Sequence, residues 1–258
     1  MSAEPSRMEY VPVGPFMVLD GTQQDFLEAV VEHTLAGPSR PVLVYALHVG
    51  GLNARGDRDF VEALAEADVV YADGGSVVSL ARLAGARAIE RSPTTDVGWE
   101  VLRSLGERLR RPVRLALLGG PSGLAERAAR VLEAGAAVQV VHIDHGYHET
   151  WSDVLRSLRE SSPDVVLVGL GAPAEMLWCR RHRGELPPSL VLTCGGWFGH
   201  LTGEERRAPR LLRRSGVEWI ARVTQAPTRL GPRYARGIWS VAVMSVGALR
   251  QRRRAAPR

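Results

Sequence analysis

Apolar residues in this chain fall into short unbroken runs, separated by longer stretches in which they recur every three or four positions. Unbroken runs of this length, rich in Val, Leu and Ile, predict buried strands, and the three-to-four spacing predicts amphipathic helices. The runs lie at 41–49 (PVLVYALHV), 68–72, 113–120, 138–144, 164–171 and 189–196. Helical spacing covers 58–67, 98–110 and 122–135, the last opening at a Ser cap, with further helices near 150–160 and 174–183.

Strands apolar on both faces and alternating with helices predict an α/β fold: a Rossmann-like parallel sheet with helices on both sides. Ligands of such sheets bind outside the carboxyl ends of the strands. Those ends carry the glycines Gly50-Gly51, Gly74-Gly75, Gly119-Gly120, Gly146, Gly169 with Gly171, and Gly195-Gly196. One such turn serves connection geometry alone, whereas six on one rim favour a ligand whose phosphates approach bare backbone. No G-x-G-x-x-G follows the first strand and no G-x-x-x-x-G-K-[ST] is present, which counts against a nicotinamide cofactor and ATP hydrolysis. The GLGAP of 169–173 lacks the third glycine of a dinucleotide fingerprint.

Charge divides the chain in two. All 33 basic residues are arginine, and 14 of them lie in 206–258 against one acid, Glu218, a local balance of +13. The preceding 205 residues hold 19 arginines and 27 acids, or −8. The expected organisation is therefore an acidic body, 1–205, and a basic helical appendage, 206–258. Such a segment suits phosphate-rich surfaces. Two cysteines, Cys179 and Cys194, have no paired-motif spacing and read as reduced thiols. The first sixteen residues lack the layout of a signal peptide, and no apolar stretch is long enough to span a bilayer. The expected location is cytoplasmic.

Asp73 ends the run VVYA and precedes two glycines, which permits two readings. It caps the glycine turn, or it is a carboxylate presented to a ligand cleft. The stretch ADVVYADGGSVVSLARLAG…ERSPTTD resembles, together with PDVVLVGLGAPAEMLW and RRAPRLLRRSGVEWIARVTQAPTRLGPRY, the WecG/TagA/CpsF family of bacterial glycosyltransferases. The likeness runs from about residue 40 to 237, and its most specific block contains Arg207, Pro209, Glu218, Trp219, Arg222, Pro227, Arg229 and Arg233.

The resemblance implies transfer of N-acetylmannosamine, or a related sugar, from a UDP donor to a GlcNAc-diphospho-polyprenol. It further implies inversion at the anomeric centre, independence from metal, and a basic C-terminal segment that docks on the membrane and closes on the active site. Some relatives self-associate, so a homo-oligomer is a further expectation. Asp73 matches the family's proposed base. Arg91 matches a family arginine, and the turn containing His145 and Tyr147 resembles one near the donor. With Gly119, Gly120, Gly171, Pro173, Glu175, Gly195 and Gly196, these form the expected donor site. Arg207, Arg222, Arg229, Arg233 and Arg236 are the expected partners of the donor or acceptor diphosphate.

The segment 237–254 has a twelve-residue apolar centre, with Trp239 at one end and Arg250, Arg252, Arg253 and Arg254 at the other. It suits a helix lying in an anionic membrane interface, or a helix packed on the body. No aromatic-and-basic platform accompanies these arginines, so nucleic acid is not an expected partner. His142, His145, His148 and Asp144 raise the question of a metal, but strand alternation is expected to scatter them, and none is predicted.

The chain departs from the family at the rim. His48 stands near the usual Thr-x-Asn, Ala174-Glu175-Met176 replaces Lys-Gln-Glu, and Gly199 replaces an Asp. His48 is therefore a second candidate for catalysis. The departures leave a soluble natural-product acceptor as an alternative to the lipid, and a non-catalytic nucleotide-sugar or membrane module as the rival outside enzymes.

Overall fold

A computed structural model describes residues 8–205 and 227–255. The chain opens with an antiparallel hairpin, β1 (Tyr10–Val13) and β2 (Phe16–Leu19), followed by α1 (Gln23–Leu35). Then come β3 (Val42–Leu47), α2 (Val49–Asn53), α3 (Arg58–Ala65), β4 (Val69–Ala72), α4 (Gly75–Ala84) and α5 (Thr94–Leu109). The second half contains β5 (Val113–Gly119), α6 (Leu124–Gly135), β6 (Val138–Asp144), α7 (Ser152–Glu160), β7 (Val165–Gly169), α8 (Ala174–Arg181), β8 (Leu190–Thr193) and α9 (Trp197–Leu201). A long C-terminal helix, here α10, spans Pro227–Ala255.

Six strands form one sheet in the order β4-β3-β8-β7-β5-β6, and every pairing is parallel. The expected α/β architecture is present. Side-chain alternation explains the unbroken apolar runs. Leu43, Tyr45 and Leu47 of β3 enter a core with Phe60, Val77, Leu155 and Met176, while Val42, Val44 and Ala46 enter the opposite core with Phe26, Val101, Leu105 and Leu132. Both faces are dry, so both residue sets must be apolar.

The expected strand at 41–49 is shorter, and the Gly50-Gly51 turn is the start of α2. The helix expected at 122–135 starts at Leu124 with Gly123, not a serine, at its cap. The hairpin and the helices α1 and α4 were not foreseen. Four-residue strands interrupted by Pro12, Gly14 and Pro15 carry too little periodicity, and α4 opens on a glycine that reads as part of a turn.

The amino ends of the strands are held by aspartates. Asp68 accepts from Leu43 N and pairs with Arg40; Asp164 does the same with Arg114 N and Arg111.

Helix α10 packs on α2 and α4. Gly237 lies so close to Val49 that a Cβ would run into it. Buried Ser240 accepts from Arg55 (2.6 Å) and donates to Asn53 Oδ1 (3.1 Å), and Met244 packs beside Gly14. The outward face is also apolar: Ile238 and Trp239 are 61% and 69% exposed, with Val243, Val246 and Leu249 beyond them. Of the two readings of this segment, the packing on the body is present, and the helix leaves an apolar stripe outside. No helix among the described residues is long and apolar enough to cross a membrane.

Candidate active site

All six strands point the same way, so their carboxyl ends share one rim. Reading across the sheet, it carries Asp73, His48, Gly195, Gly169 to Gly171, Gly119-Gly120, and Asp144 with His145. After β5 the chain crosses to α6, in the core with Phe26; after β7 it crosses to α8, in the core with Phe60. Connections that leave on opposite faces open a crevice between those strand ends.

Asp73 sits one residue beyond β4, where its N–H still bonds to Leu47 O (3.0 Å). Its Oδ1 accepts two hydrogen bonds, from Thr94 N (2.7 Å) and Thr94 Oγ1 (3.0 Å). Thr94 is the first residue of α5, so the carboxylate rests on the amino end of a sixteen-residue helix. That location favours negative charge through the aligned peptide dipoles. The strand leads there because Ser92 N bonds to Ala72 O (2.8 Å), which carries the incoming chain alongside β4. Arg91 donates from Nε to the Asp73 carbonyl (3.1 Å), placing its guanidinium at the same exit.

His48 follows β3 and caps α2: its Nδ1 accepts from Gly50 N (2.9 Å). The accepting role assigns the ring proton of a neutral imidazole to Nε2. Gly74 packs against His48; a Cβ on it would lie 3.6 Å from the histidine's Cβ. Asp73 and His48 therefore occupy adjacent strand exits.

The glycine turns of β5 and β7 interlock. Gly119 has φ +140°, and a Cβ there would run into the Gly169 carbonyl, so no other residue fits without displacing a strand. Gly120 N bonds to Gly169 O (3.2 Å), and Gly146 N to Gly120 O (2.8 Å). Three turns are thereby tied into one surface. Pro173 caps α8, and Gly171, Gly195 and Gly196 lie on the neighbouring turns.

Glu175 differs from its rim neighbours. It is 1% exposed, and Oε2 accepts from both Gly171 N (3.0 Å) and Gly195 N (3.1 Å). The residue expected to face the donor is a clamp between two turns, so its bearing on a ligand runs through their backbone.

At the far edge, Asp144 Oδ1 accepts from His145 N (2.8 Å) and lies 2.7 Å from His148 Nε2. His148 Nε2 also faces His145 O (3.1 Å); with two acceptors before it, that nitrogen carries the proton. His145 Nδ1 accepts from Tyr147 N (3.1 Å), while the Tyr147 side chain is exposed. The turn thus gathers residues expected to scatter: ligand atoms of Asp144, His145 and His148 lie within 4.8 Å of one another. The two imidazoles stack face to face, 4.1 Å apart at 8°. In-plane nitrogen lone pairs of parallel rings do not converge on one point, and a metal would have to displace the hydrogen bonds already made there. Burial lowers the pKa of the fourth member, His142, against a smaller opposing effect from Asp144.

Both thiols are buried, and burial pushes Cys179 and Cys194 upward, which makes them poor nucleophiles. Of the expected diphosphate partners, Arg236 is exposed on α10; Arg207 and Arg222, and the side chains of Arg229 and Arg233, lie outside the described residues.

Two site residues escaped the sequence reading. Thr94 holds Asp73, and Tyr71 OH lies 2.7 Å from Thr94 Oγ1. Strand periodicity carried a partial signal, because Tyr71 and Asp73, two apart, fall on the same face as α5. Thr94 lies in the stretch ERSPTTD, but nothing there indicated its partners, which it meets only through the fold.

The family described as Glycosyl transferase WecG/TagA/CpsF matches residues 13–256. The chain belongs to that family and is a glycosyltransferase, an enzyme acting with a nucleotide-sugar donor and an acceptor.

Proposed function

We propose that this WecG/TagA/CpsF glycosyltransferase moves a hexosamine-type sugar, N-acetylmannosamine or a close relative, from UDP to a hydroxyl of a polyprenyl-diphosphate-linked GlcNAc in cell-envelope biosynthesis. The observation that carries the reading is Asp73, a carboxylate on the rim with Oδ1 taken by Thr94. Its second oxygen is the base. The acceptor hydroxyl loses its proton to Asp73 Oδ2 as its oxygen bonds to the anomeric carbon. The bond from that carbon to the phosphate oxygen breaks with its electron pair on UDP, and attack opposite the leaving group inverts the centre.

Charge on the departing UDP is met without metal by backbone N–H groups of the glycine turns and by arginines. Arg91 stands beside the base, and Arg207, Arg222, Arg229, Arg233 and Arg236 are assigned to the donor and acceptor diphosphates. His48, with its proton on Nε2, donates to the sugar or the leaving phosphate. His145 and Tyr147 border the donor, and Glu175 acts by holding the Gly171 and Gly195 turns.

The apolar stripe of α10, ending in arginines, rests on an anionic membrane surface. That brings the rim to a lipid-linked acceptor. A soluble natural-product acceptor is the second reading, favoured by His48, Glu175 and Gly199 at positions where the family carries other residues.

The test is UDP release from a panel of UDP-sugars, with a short-chain GlcNAc-diphospho-prenol in anionic liposomes and without acceptor. The reading expects acceptor-dependent release with one donor. Release that ignores the lipid but responds to a soluble alcohol supports the second reading; no binding of any donor contradicts both. In the same liposomes, Val243→Glu is expected to lower sedimentation of the protein severalfold.

A further inference from the structure

Resting on the reading of Asp73 as base, we propose that Thr94 and Tyr71 are positioning residues that fix which carboxylate oxygen takes the acceptor proton.

The hydrogen bonds have only one consistent direction. Thr94 Oγ1 lies 3.0 Å from Asp73 Oδ1, and a carboxylate can only accept, so the threonine gives its single proton there. Tyr71 OH, 2.7 Å from the same Oγ1, must then donate to it. Burial pushes the Tyr71 phenol well above its usual value, aided by the Asp73 charge, so it keeps the proton it donates. The result is a one-way chain, Tyr71 O–H to Thr94 O–H to Asp73 Oδ1, closed by the Thr94 N–H on the same oxygen (2.7 Å).

Two donors on Oδ1 fix the rotation of the carboxyl group and occupy that oxygen, leaving Oδ2 for the substrate. Tyr71 is 1% and Thr94 5% exposed, so neither touches substrate, and both act through Asp73. Hydrogen bonds to a charged group in a dry setting are the strong kind, and misorienting a base is felt in turnover before it is felt in binding.

The test uses the full chain in three variants. Thr94→Val keeps the backbone N–H and the side-chain volume but removes the hydroxyl. It is expected to lower kcat for acceptor-dependent UDP release by roughly 10- to 100-fold, with donor KM within about twofold. Thr94→Ser restores the hydroxyl and is expected to recover most of the loss, and Tyr71→Phe is expected to cost roughly 3- to 10-fold in kcat. UDP binding by calorimetry guards against a variant that has lost its fold. Unchanged kcat in Thr94→Val, or a loss that Thr94→Ser does not recover, overturns the proposal.

A second readout separates this proposal from the transferase reading. The Thr94 amide proton, bonded to a carboxylate, is expected to resonate far downfield and to move upfield in Asp73→Asn. If that shift is seen but the wild type releases no UDP, the hold of Thr94 on Asp73 stands and the transferase reading has failed. If the shift is absent, the positioning claim falls whatever the turnover.

Discussion

Asp73 and Asp144 make a natural pair. Each stands at the carboxyl end of an outermost strand, one at each edge of the same parallel sheet. Their neighbours differ. Asp73 Oδ1 is held by the N–H and hydroxyl of Thr94, brought by the amino end of a long helix, with the Tyr71 hydroxyl behind the threonine. Asp144 is held by its own turn, the next N–H and an imidazole four residues on, with His142 Nε2 4.0 Å from Oδ2. The first arrangement brings a rigid frame to one oxygen of a carboxylate on the rim. The second is local, and uses the carboxylate to shape a loop. The same residue type at equivalent positions is the proposed base in one place and a turn anchor in the other because of what is brought to it.

The largest effect expected from that contrast is on turnover. Asp73→Asn is expected to lower acceptor-dependent UDP release by roughly 10²- to 10⁴-fold, the range for losing a general base. Asp144→Asn is expected to stay within roughly tenfold, since it removes order from a turn and no proton acceptor. Comparable losses in both would erase the distinction.

Next in size is a stability effect at the rim. Glu175→Ala leaves two backbone N–H groups, of Gly171 and Gly195, without their acceptor. Urea denaturation is expected to show a loss of roughly 2–5 kcal/mol, from those two groups and the vacated volume. An unchanged midpoint would mean that the clamp is not needed to hold the turns.

The smallest effect is on pH dependence at the Asp144 edge. His142 has its pKa lowered by burial, so its neutral form is the one the fold accommodates. Its contribution is intact above the ordinary histidine value of 6.5 and is lost as pH falls below it, because the unfolded chain takes up the proton first. His142→Gln is expected to flatten the decline in stability between neutral and mildly acidic pH. An identical decline in the variant would assign it to other groups.

Much of the frame was legible in the sequence because its signals are local. Unbroken apolar runs marked all six parallel strands, and the glycines after them marked the rim. Asp73 could be singled out because a carboxylate ending a buried strand is unusual in itself. What depends on distant neighbours was less visible. The partners that hold each rim carboxylate, Thr94 for Asp73 and His148 for Asp144, appear only in the fold. The resemblance put Glu175 at the donor site, whereas the fold holds it between the β7 and β8 turns. The histidines of β6 and its turn were expected to diverge by strand alternation, but the strand ends at Asp144, and the turn brings His145 and His148 back onto it. The C-terminal helix could be read as membrane-facing or body-packed, and its two apolar faces keep both surfaces in play.

The most direct measurement is UDP affinity and acceptor-dependent UDP release on the same preparation of Asp73→Asn, beside the wild type. The account predicts UDP binding within about twofold of wild type and turnover lower by at least about 100-fold, the signature of a group used only in the chemical step. Retained turnover, or a loss of UDP binding that accounts for the lost turnover, would contradict the assignment of Asp73 as the base.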